Sequence, residues 1–259
     1  MYKLATIMKH IETYYKNIGI NLEDLEHPIS HIINEIPTKT QIQQESTKLY
    51  LKVLGLALID IKGYDKKIYK KYSERIKKCK DREAIYGHIF EIVQCSHFIG
   101  VSKKENLSFK FGDANKNEPD FILNNFGFEI TTSRFSDDSE NFEPGQKLLT
   151  AFRKKNKKLY VNNDTALLID ITNISERAFG KSVSMSLEEF CNIVKVESKF
   201  GVVLCFTEWV DKQTLNTALI TSAIIFSDNC NAELKSMIET VFFKPNNIGK
   251  EDNYLSKNK

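Results

Sequence analysis

The sequence lacks the short motifs that would indicate a nucleotide cofactor or a zinc site. No GxxxxGK[ST] or GxGxxG segment occurs, so the chain gives no support for binding of ATP or a dinucleotide. The five histidines include no HExxH pattern, and the five cysteines include no CxxC pair. Widely spaced cysteines are typical of reduced thiols, which predicts a cytoplasmic protein.

Long apolar runs are also absent. No segment approaches the ~20 consecutive apolar residues of a membrane-spanning helix, so we predict a soluble protein with no membrane partner. Hydrophobic residues make up 41% of the 259 positions, which is typical of a globular protein. This length favours one domain of ordinary size with a smaller attachment.

Apolar residues in the first part of the chain recur at helical spacing. Ile7 and Ile11 are four residues apart, and the same spacing continues until Pro28 and Pro37 interrupt it. The pattern predicts an all-helical N-terminal lobe over residues 1–80.

The segment from Lys62 to Arg82 is strongly basic. It holds ten basic and three acidic residues, whereas the net charge of the whole chain is only +3. On a helix these residues would form a positive, solvent-exposed face. A solvated helix is the simpler interpretation, and contact with phosphate groups is the alternative.

Three short apolar runs follow a predicted helix. Asp81 can cap a helix that reaches about Ile99, and Glu91 lies beside the apolar stripe of that helix. The runs are separated by polar turn residues, which indicates three short strands. They are Leu107–Phe111, Asp120–Asn124 and Phe126–Thr132.

The second half of the chain alternates between helical and apolar segments. A basic helix is predicted from Gln146 to about Tyr160, and the continuous apolar run that follows it predicts a strand buried on both faces. That strand is Thr165–Ile171, and the later elements are a helix at 186–199 and strands at 201–206 and 218–227. The polar tail, residues 246–259, is predicted to be disordered.

This order of elements resembles the PD-(D/E)xK nuclease superfamily, which has an α-β-β-β-α-β core with a mixed central sheet. The segment EPDF supplies the motif aspartate, Asp120, and FEIT supplies the acidic residue of the third strand, Glu129. Glu91 stands at the position of the glutamate in the first helix. The resemblance covers roughly residues 81–171, and it implies a restriction-endonuclease-like α/β fold over residues 81–245.

The chain departs from the family pattern at one position. The family's lysine belongs two residues after the strand acid, and Thr131 stands there in this sequence. Some members carry the lysine on the following helix instead. Here the corresponding run, KLLTAFRKKNKKLY, contains five lysines, so a relocated lysine is consistent with the resemblance.

Lys155 is the favoured lysine of this run. Phe152, Lys155 and Leu159 recur at three and four residues and so share the face of the helix that should look toward the sheet. Lys158 is the second choice. The lysines that should point toward solvent are Lys154 and Lys157.

The acidic residues suggest a magnesium site. Mg²⁺ prefers oxygen ligands, and Asp120, Glu129 and the carbonyl group of Ile130 would supply them, with Mn²⁺ as an alternative ion. By resemblance, Glu91 would bind a second ion or hold a metal-bound water. Lys155 would orient or deprotonate the attacking water and screen the phosphate charge.

Each of these acids also has a structural interpretation. Glu91 on the flank of a helix is ordinarily a solvated charge, and Asp120 after a proline is ordinarily a turn or strand-start residue. Glu129 differs because apolar residues alternate around it, and a buried carboxylate needs a partner.

The predicted function is therefore that of a magnesium-dependent endonuclease, a phosphodiester hydrolase, with DNA favoured over RNA as its substrate. The resemblance suggests a biological role in restriction, phage defence or mobile elements, and it allows a homodimer. The rival hypothesis is a catalytically inactive copy of the fold that binds nucleic acid or protein, and Thr131 is its main support. The residues predicted to hold the nucleic-acid backbone are Lys147, Arg153, Lys154 and Lys158.

Overall fold

The structure is a computed structural model of the chain, and it describes residues 2–135, 143–178, 185–210 and 217–243. The chain divides into two compact units, Met1–Gly100 with Val210–Thr217, and Val101–Trp209 with Ala218–Lys259. The tail predicted over 246–259 lies outside the described residues. Within the described part, no helix combines the length and the apolar character needed to cross a membrane.

The described N-terminal part of the first unit consists of helices, as the sequence pattern predicts. Pro28 occupies the first turn of its helix, and Thr40 and Gln43 form a capping box at the start of the longest one. The hydroxyl of the buried Tyr15 donates a hydrogen bond to the carbonyl oxygen of Leu51 at 2.9 Å. The helices are α1 (Tyr2–Asn17), α2 (Pro28–Glu35), α3 (Gln41–Tyr64), α4 (Lys66–Lys78) and α5 (Ala84–Glu105), with a short 3-10 helix at Ile36–Thr38.

Helix α5 begins as predicted but is longer than predicted. A carboxylate oxygen of Asp81 accepts hydrogen bonds from the N–H groups of Glu83 and Ala84, so Asp81 caps the helix. The helix continues past the predicted end near Ile99 and stops where Asn106 adopts a left-handed conformation, with φ of 53°. Asparagine tolerates this conformation better than most residues, and it commonly ends helices in this way.

The second unit contains a six-stranded mixed sheet, so the predicted α/β class is confirmed. The strands lie in the sheet in the same order as in the chain. The first three strands pair in an antiparallel manner, and the third, fourth and fifth pair in a parallel manner. The strands are β1 (Phe109–Phe111), β2 (Phe121–Leu123), β3 (Phe126–Thr132), β4 (Thr165–Asp170), β5 (Val202–Val210) and β6 (Thr217–Phe226).

Helices of the second unit pack on the sheet. Phe152 and Phe190 meet edge to face at 6.3 Å between ring centroids, in a core that also contains Leu167 and Val203. Strand β4 is buried along its whole length, as its continuous apolar sequence predicts. The helices are α6 (Pro144–Asn156), α7 (Thr172–Ala178), α8 (Leu187–Glu197) and α9 (Ala232–Phe242), with a 3-10 helix at Ala114–Lys116.

Helix α6 ends four residues before the predicted position at Tyr160. The N–H of Lys158 bonds to the carbonyl oxygen of Lys155 at 3.1 Å, which closes a turn in place of a further helical turn. Leu159 was predicted to pack on the sheet, and this prediction is wrong, because its side chain is 91% exposed. The shorter helix places the residues after Asn156 in a turn above β3.

Position 112 requires glycine because the segment before β2 passes too close to its backbone to leave room for a side chain. Its N–H donates to the carbonyl oxygen of Asp120 at 3.0 Å, and a Cβ atom at this position would overlap the carbonyl oxygen of Pro119. We expect Gly112→Ala to lower the free energy of unfolding by about 1–3 kcal/mol because the backbone must move apart. Gly100→Ala is the control, because a Cβ there meets nothing within 4 Å and should stabilise the helix by about 0.5–1 kcal/mol. Urea unfolding measures both, and equal effects would contradict the argument.

Candidate active site

Glu129 is a fully buried carboxylate in the middle of β3. It is paired with Leu167 in the parallel register with β4, so the two side chains lie on the same face of the sheet. Leu167 belongs to the core that also contains Phe152 of α6. The Glu129 side chain therefore lies on the face of the sheet that α6 covers.

Three donors from the end of α6 and the turn after it surround the Glu129 carboxylate. The ammonium groups of Lys155 and Lys158 both contact Oε1, the latter at 2.8 Å. The hydroxyl of Tyr160 donates a hydrogen bond to Oε2. These contacts answer the prediction that a carboxylate at this place needs a partner, since each oxygen accepts at least one charged or polar donor.

Asp120 and Lys155 meet at the peptide groups of Ile130. The N–H of Ile130 donates to Oδ2 of Asp120 at 2.7 Å, and the Ile130 carbonyl oxygen accepts from Lys155 Nζ at 3.0 Å. Lys155 thus bridges the carboxylate of Glu129 and the main chain of the next residue. Of the predicted site residues, the structure brings together Asp120, Glu129, Ile130 and Lys155.

The last turn of α6 brings a lysine from a helix to this place. Thr131 lies two residues after Glu129 on β3 and so shares its face of the sheet. Lys155 stands in the last turn of α6, three residues after the buried Phe152, and therefore points down onto the same face. Lys154 and Lys157 are exposed, as predicted.

The charges around Glu129 keep it ionised. Burial by itself raises the pKa of the Glu129 carboxyl, but the charge of Lys155 and the hydrogen bonds from Lys155, Lys158 and Tyr160 outweigh burial and lower it below its ordinary value. The pKa of Tyr160 is raised, first by burial and then by its hydrogen bond to Glu129. The site is therefore an ionised carboxylate that is surrounded by two ammonium groups and one phenol hydroxyl group.

Glu91 lies in the first unit, where its carboxylate has partners of its own. Oε1 accepts a hydrogen bond from the Tyr72 hydroxyl at 3.0 Å, and Oε2 pairs with Arg75 at 2.7 Å. Among the residues that the structure describes, no group of three or more His, Cys, Asp or Glu side chains is arranged to hold a metal ion. A metal-binding role for Glu91 stays a prediction.

The basic residues predicted to hold nucleic acid have different surroundings. Arg153 makes a two-pronged ion pair with Glu197, at 2.9 and 2.6 Å, and Lys158 is bound to Glu129. The ammonium of Lys147 lies 5.7 Å from the centre of the Phe135 ring. Lys154 is exposed on the surface of α6. For Arg153 and Lys158, contact with phosphate would have to compete with these carboxylates.

Sequence reasoning did not identify Tyr160 as part of the site. The sequence pattern predicts that Tyr160 is the last residue of a helix, and in a helix its side chain would point elsewhere. The sequence did indicate that a further donor was needed, because a buried carboxylate has two oxygens and one lysine does not occupy both.

Comparison of the chain with protein-family models, curated proteins and solved structures finds no match.

The lowered pKa of Glu129 makes stability depend on pH in a definite direction. The folded state favours the ionised carboxyl, so its contribution is complete above the ordinary value of 4.5 and is lost as the pH falls through the lower folded value. We expect the free energy of unfolding of wild type to fall more steeply below about pH 4.5 than that of Glu129→Gln. Urea unfolding at a series of pH values tests this, and parallel curves would contradict it.

Proposed function

We propose that this chain is a magnesium-dependent nuclease that hydrolyses phosphodiester bonds, with DNA favoured over RNA. The observation that supports this proposal most directly is the cluster of Asp120, Glu129 and Lys155 around the main chain of Ile130. We further propose a restriction-endonuclease-like core, because the element order α5-β1-β2-β3-α6-β4 and the mixed sheet agree with the core that the resemblance implies.

The donor atoms of the cluster fit a hard divalent cation. They are the carboxylates of Asp120 and Glu129 and the carbonyl oxygen of Ile130, which are the ligand types that Mg²⁺ and Mn²⁺ prefer. The Lys155 ammonium already contacts both Glu129 and the Ile130 carbonyl, so these two oxygens are close enough to share one cation. A bound Mg²⁺ would polarise the phosphate and supply an activated water.

The side chains of this cluster would have separate tasks in hydrolysis. Lys155 would place a positive charge beside the phosphate oxygens, where charge accumulates during the reaction, or hold the attacking water. Tyr160 would orient Glu129 through its hydroxyl. Lys158 is 43% exposed while Lys155 is 19% exposed, so Lys158 is the ammonium that can leave Glu129 for a phosphate at the lower cost.

Cleavage assays test the proposal. Plasmid DNA, single-stranded DNA and RNA are incubated with Mg²⁺ or Mn²⁺ and with wild type, Asp120→Ala or Glu129→Gln, and Asp228→Ala serves as a control at an exposed aspartate. Loss of metal-dependent cleavage in the two site variants, with unchanged far-ultraviolet circular dichroism and an active control, supports a nuclease. Identical behaviour of all four proteins rejects it and favours the inactive binding module.

A further inference from the structure

Helix α4 presents a face of six lysines with one glutamate, Glu74, among them. Its 13 residues carry seven basic side chains and one acidic side chain, a formal charge twice the +3 of the whole chain. At about 100° per residue, the six lysines cover an arc of about 140°, opposite the buried Tyr72 and Ile76. All six are exposed: Lys66, Lys67, Lys70, Lys71, Lys77 and Lys78. We call them the α4 lysine face.

Two acidic residues near this face cap helices, and a third pairs with one lysine of the face. Asp65 accepts hydrogen bonds from the N–H groups at the start of α4, and Asp81 does the same for α5. Glu74, the single acidic residue of α4, pairs with Lys78 at 3.3 Å. Among the ion pairs of the described residues, this is the only one that involves the α4 lysine face.

The remaining basic residue of α4 does not belong to the face. Arg75 pairs with Glu91 at 2.7 Å, and its guanidinium lies 4.8 Å from the centre of the Tyr72 ring. It is therefore part of the packed side of the helix. The helix separates one cation, which is used for packing, from six that are presented to solvent.

This arrangement opposes the stability of the helix that carries it. Lys66 and Lys70, and likewise Lys67 and Lys71, are like charges four residues apart, which destabilises a helix. Lys66 and Lys67 also stand in the first turn, where the helix dipole disfavours cations. An ordinary solvated surface mixes charges of both signs. A bound polyanion would relieve these repulsions.

We propose that the α4 lysine face binds the phosphate backbone of a nucleic acid. The face is about 18 Å long, and double-stranded DNA presents one phosphate charge for every ~1.7 Å of its axis, so several lysines can be neutralised at once. Lysines supply charge without reading bases, so the contact is independent of sequence. The inference rests on the proposed function only in choosing nucleic acid as the polyanion.

The packing of α4 favours nucleic acid over a membrane surface. A helix that binds a lipid surface inserts its apolar face between the lipid headgroups. Of the apolar side chains of α4, Tyr72 and Ile76 are buried, and Ile68 and Tyr69 are partly buried, so the helix has no fully exposed apolar face to insert. The face offers only charge, which is sufficient for a phosphate backbone.

Binding without catalysis tests the inference. Wild type is titrated in EDTA against a short fluorescein-labelled DNA duplex, against the corresponding single strand, and against vesicles of phosphatidylcholine with phosphatidylserine. We expect the quadruple variant Lys66→Gln, Lys67→Gln, Lys70→Gln and Lys71→Gln to bind DNA about tenfold or more weakly, with a smaller dependence of affinity on salt. Cleavage is not measured, so failure of the proposed hydrolysis would not affect this result.

The matched control changes four exposed lysines of the second unit, and it should bind DNA like wild type. These are Lys110→Gln, Lys116→Gln, Lys199→Gln and Lys235→Gln. Equal loss in both quadruple variants, no loss in the α4 variant, or binding of wild type to vesicles but not to DNA would overturn the inference.

A second variant keeps the test decisive if the first does not fold. Glu74→Gln removes the single acidic side chain from the α4 lysine face and should strengthen DNA binding about threefold. Glu239→Gln removes an exposed acid from α9 and should leave DNA binding unchanged. An unchanged affinity for Glu74→Gln would contradict the inference.

Discussion

Lys155→Met is expected to slow the proposed metal-dependent phosphodiester hydrolysis by about 100-fold or more. A cation or proton donor placed at a reacting phosphate or water typically contributes a factor of about 10²–10⁴. Methionine keeps the length of the side chain and removes its charge. Lys158 and Tyr160 remain to hold Glu129, so the fold should survive. Single-turnover cleavage of plasmid DNA measures the rate.

A lysine just beyond the helix provides the control for this experiment. Lys157→Met changes an exposed side chain that has no predicted role in the site and should cleave at the rate of wild type. A variant that combines Lys155→Met with Thr131→Lys places an ammonium on the same face of β3 and should recover part of the lost rate. A full rate in Lys155→Met together with loss in Lys158→Met would assign the role to Lys158 instead.

Glu129→Ala is expected to lower the free energy of unfolding by about 3–5 kcal/mol, because it leaves cationic groups in a buried place without their carboxylate. Glu129 is fully buried, and Lys155 is 19% exposed. The double variant with Lys155→Met should lose much less than the sum of the two single variants, since it removes both charges. Urea unfolding of the four proteins gives this coupling.

An exposed acid provides the comparison for the stability measurement. Glu239→Ala removes a carboxylate from the surface of α9, and surface changes of this kind are usually within about 0.5 kcal/mol. If Glu129→Ala were no more destabilising than Glu239→Ala, the contacts around Glu129 would have no net energetic value. A strictly additive double variant would lead to the same conclusion.

The backbone of the site could be predicted from sequence because its signals are local. Alternating apolar residues define β3, and the boundaries predicted for it agree with the structure. Asn124 turns the chain between β2 and β3 with a φ of 53°. An asparagine between two short apolar runs predicts such a turn. The helical spacing that places Phe152, Lys155 and Leu159 on one face is correct for the first two residues and wrong for Leu159.

The parts that could not be predicted depend on contacts between distant segments. No glycine or proline marks the end of α6, so its last turn could not be placed, and Leu159 and Tyr160 were misassigned with it. The pair between Arg153 and Glu197 joins α6 to α8 across 44 positions of sequence. Such a pair depends on the packing of two helices, which single-sequence patterns do not report.

The agreement between strand order and chain order has a consequence for synthesis of the protein. Among the described strands, each one after β1 pairs with the strand that precedes it in the sequence, so its partner has already been synthesised. The antiparallel pairs that β2 makes with β1 and β3 also join residues close in sequence, and such contacts favour rapid folding. The cluster from Asp120 to Tyr160 is complete once β4 has emerged, before the last two strands exist.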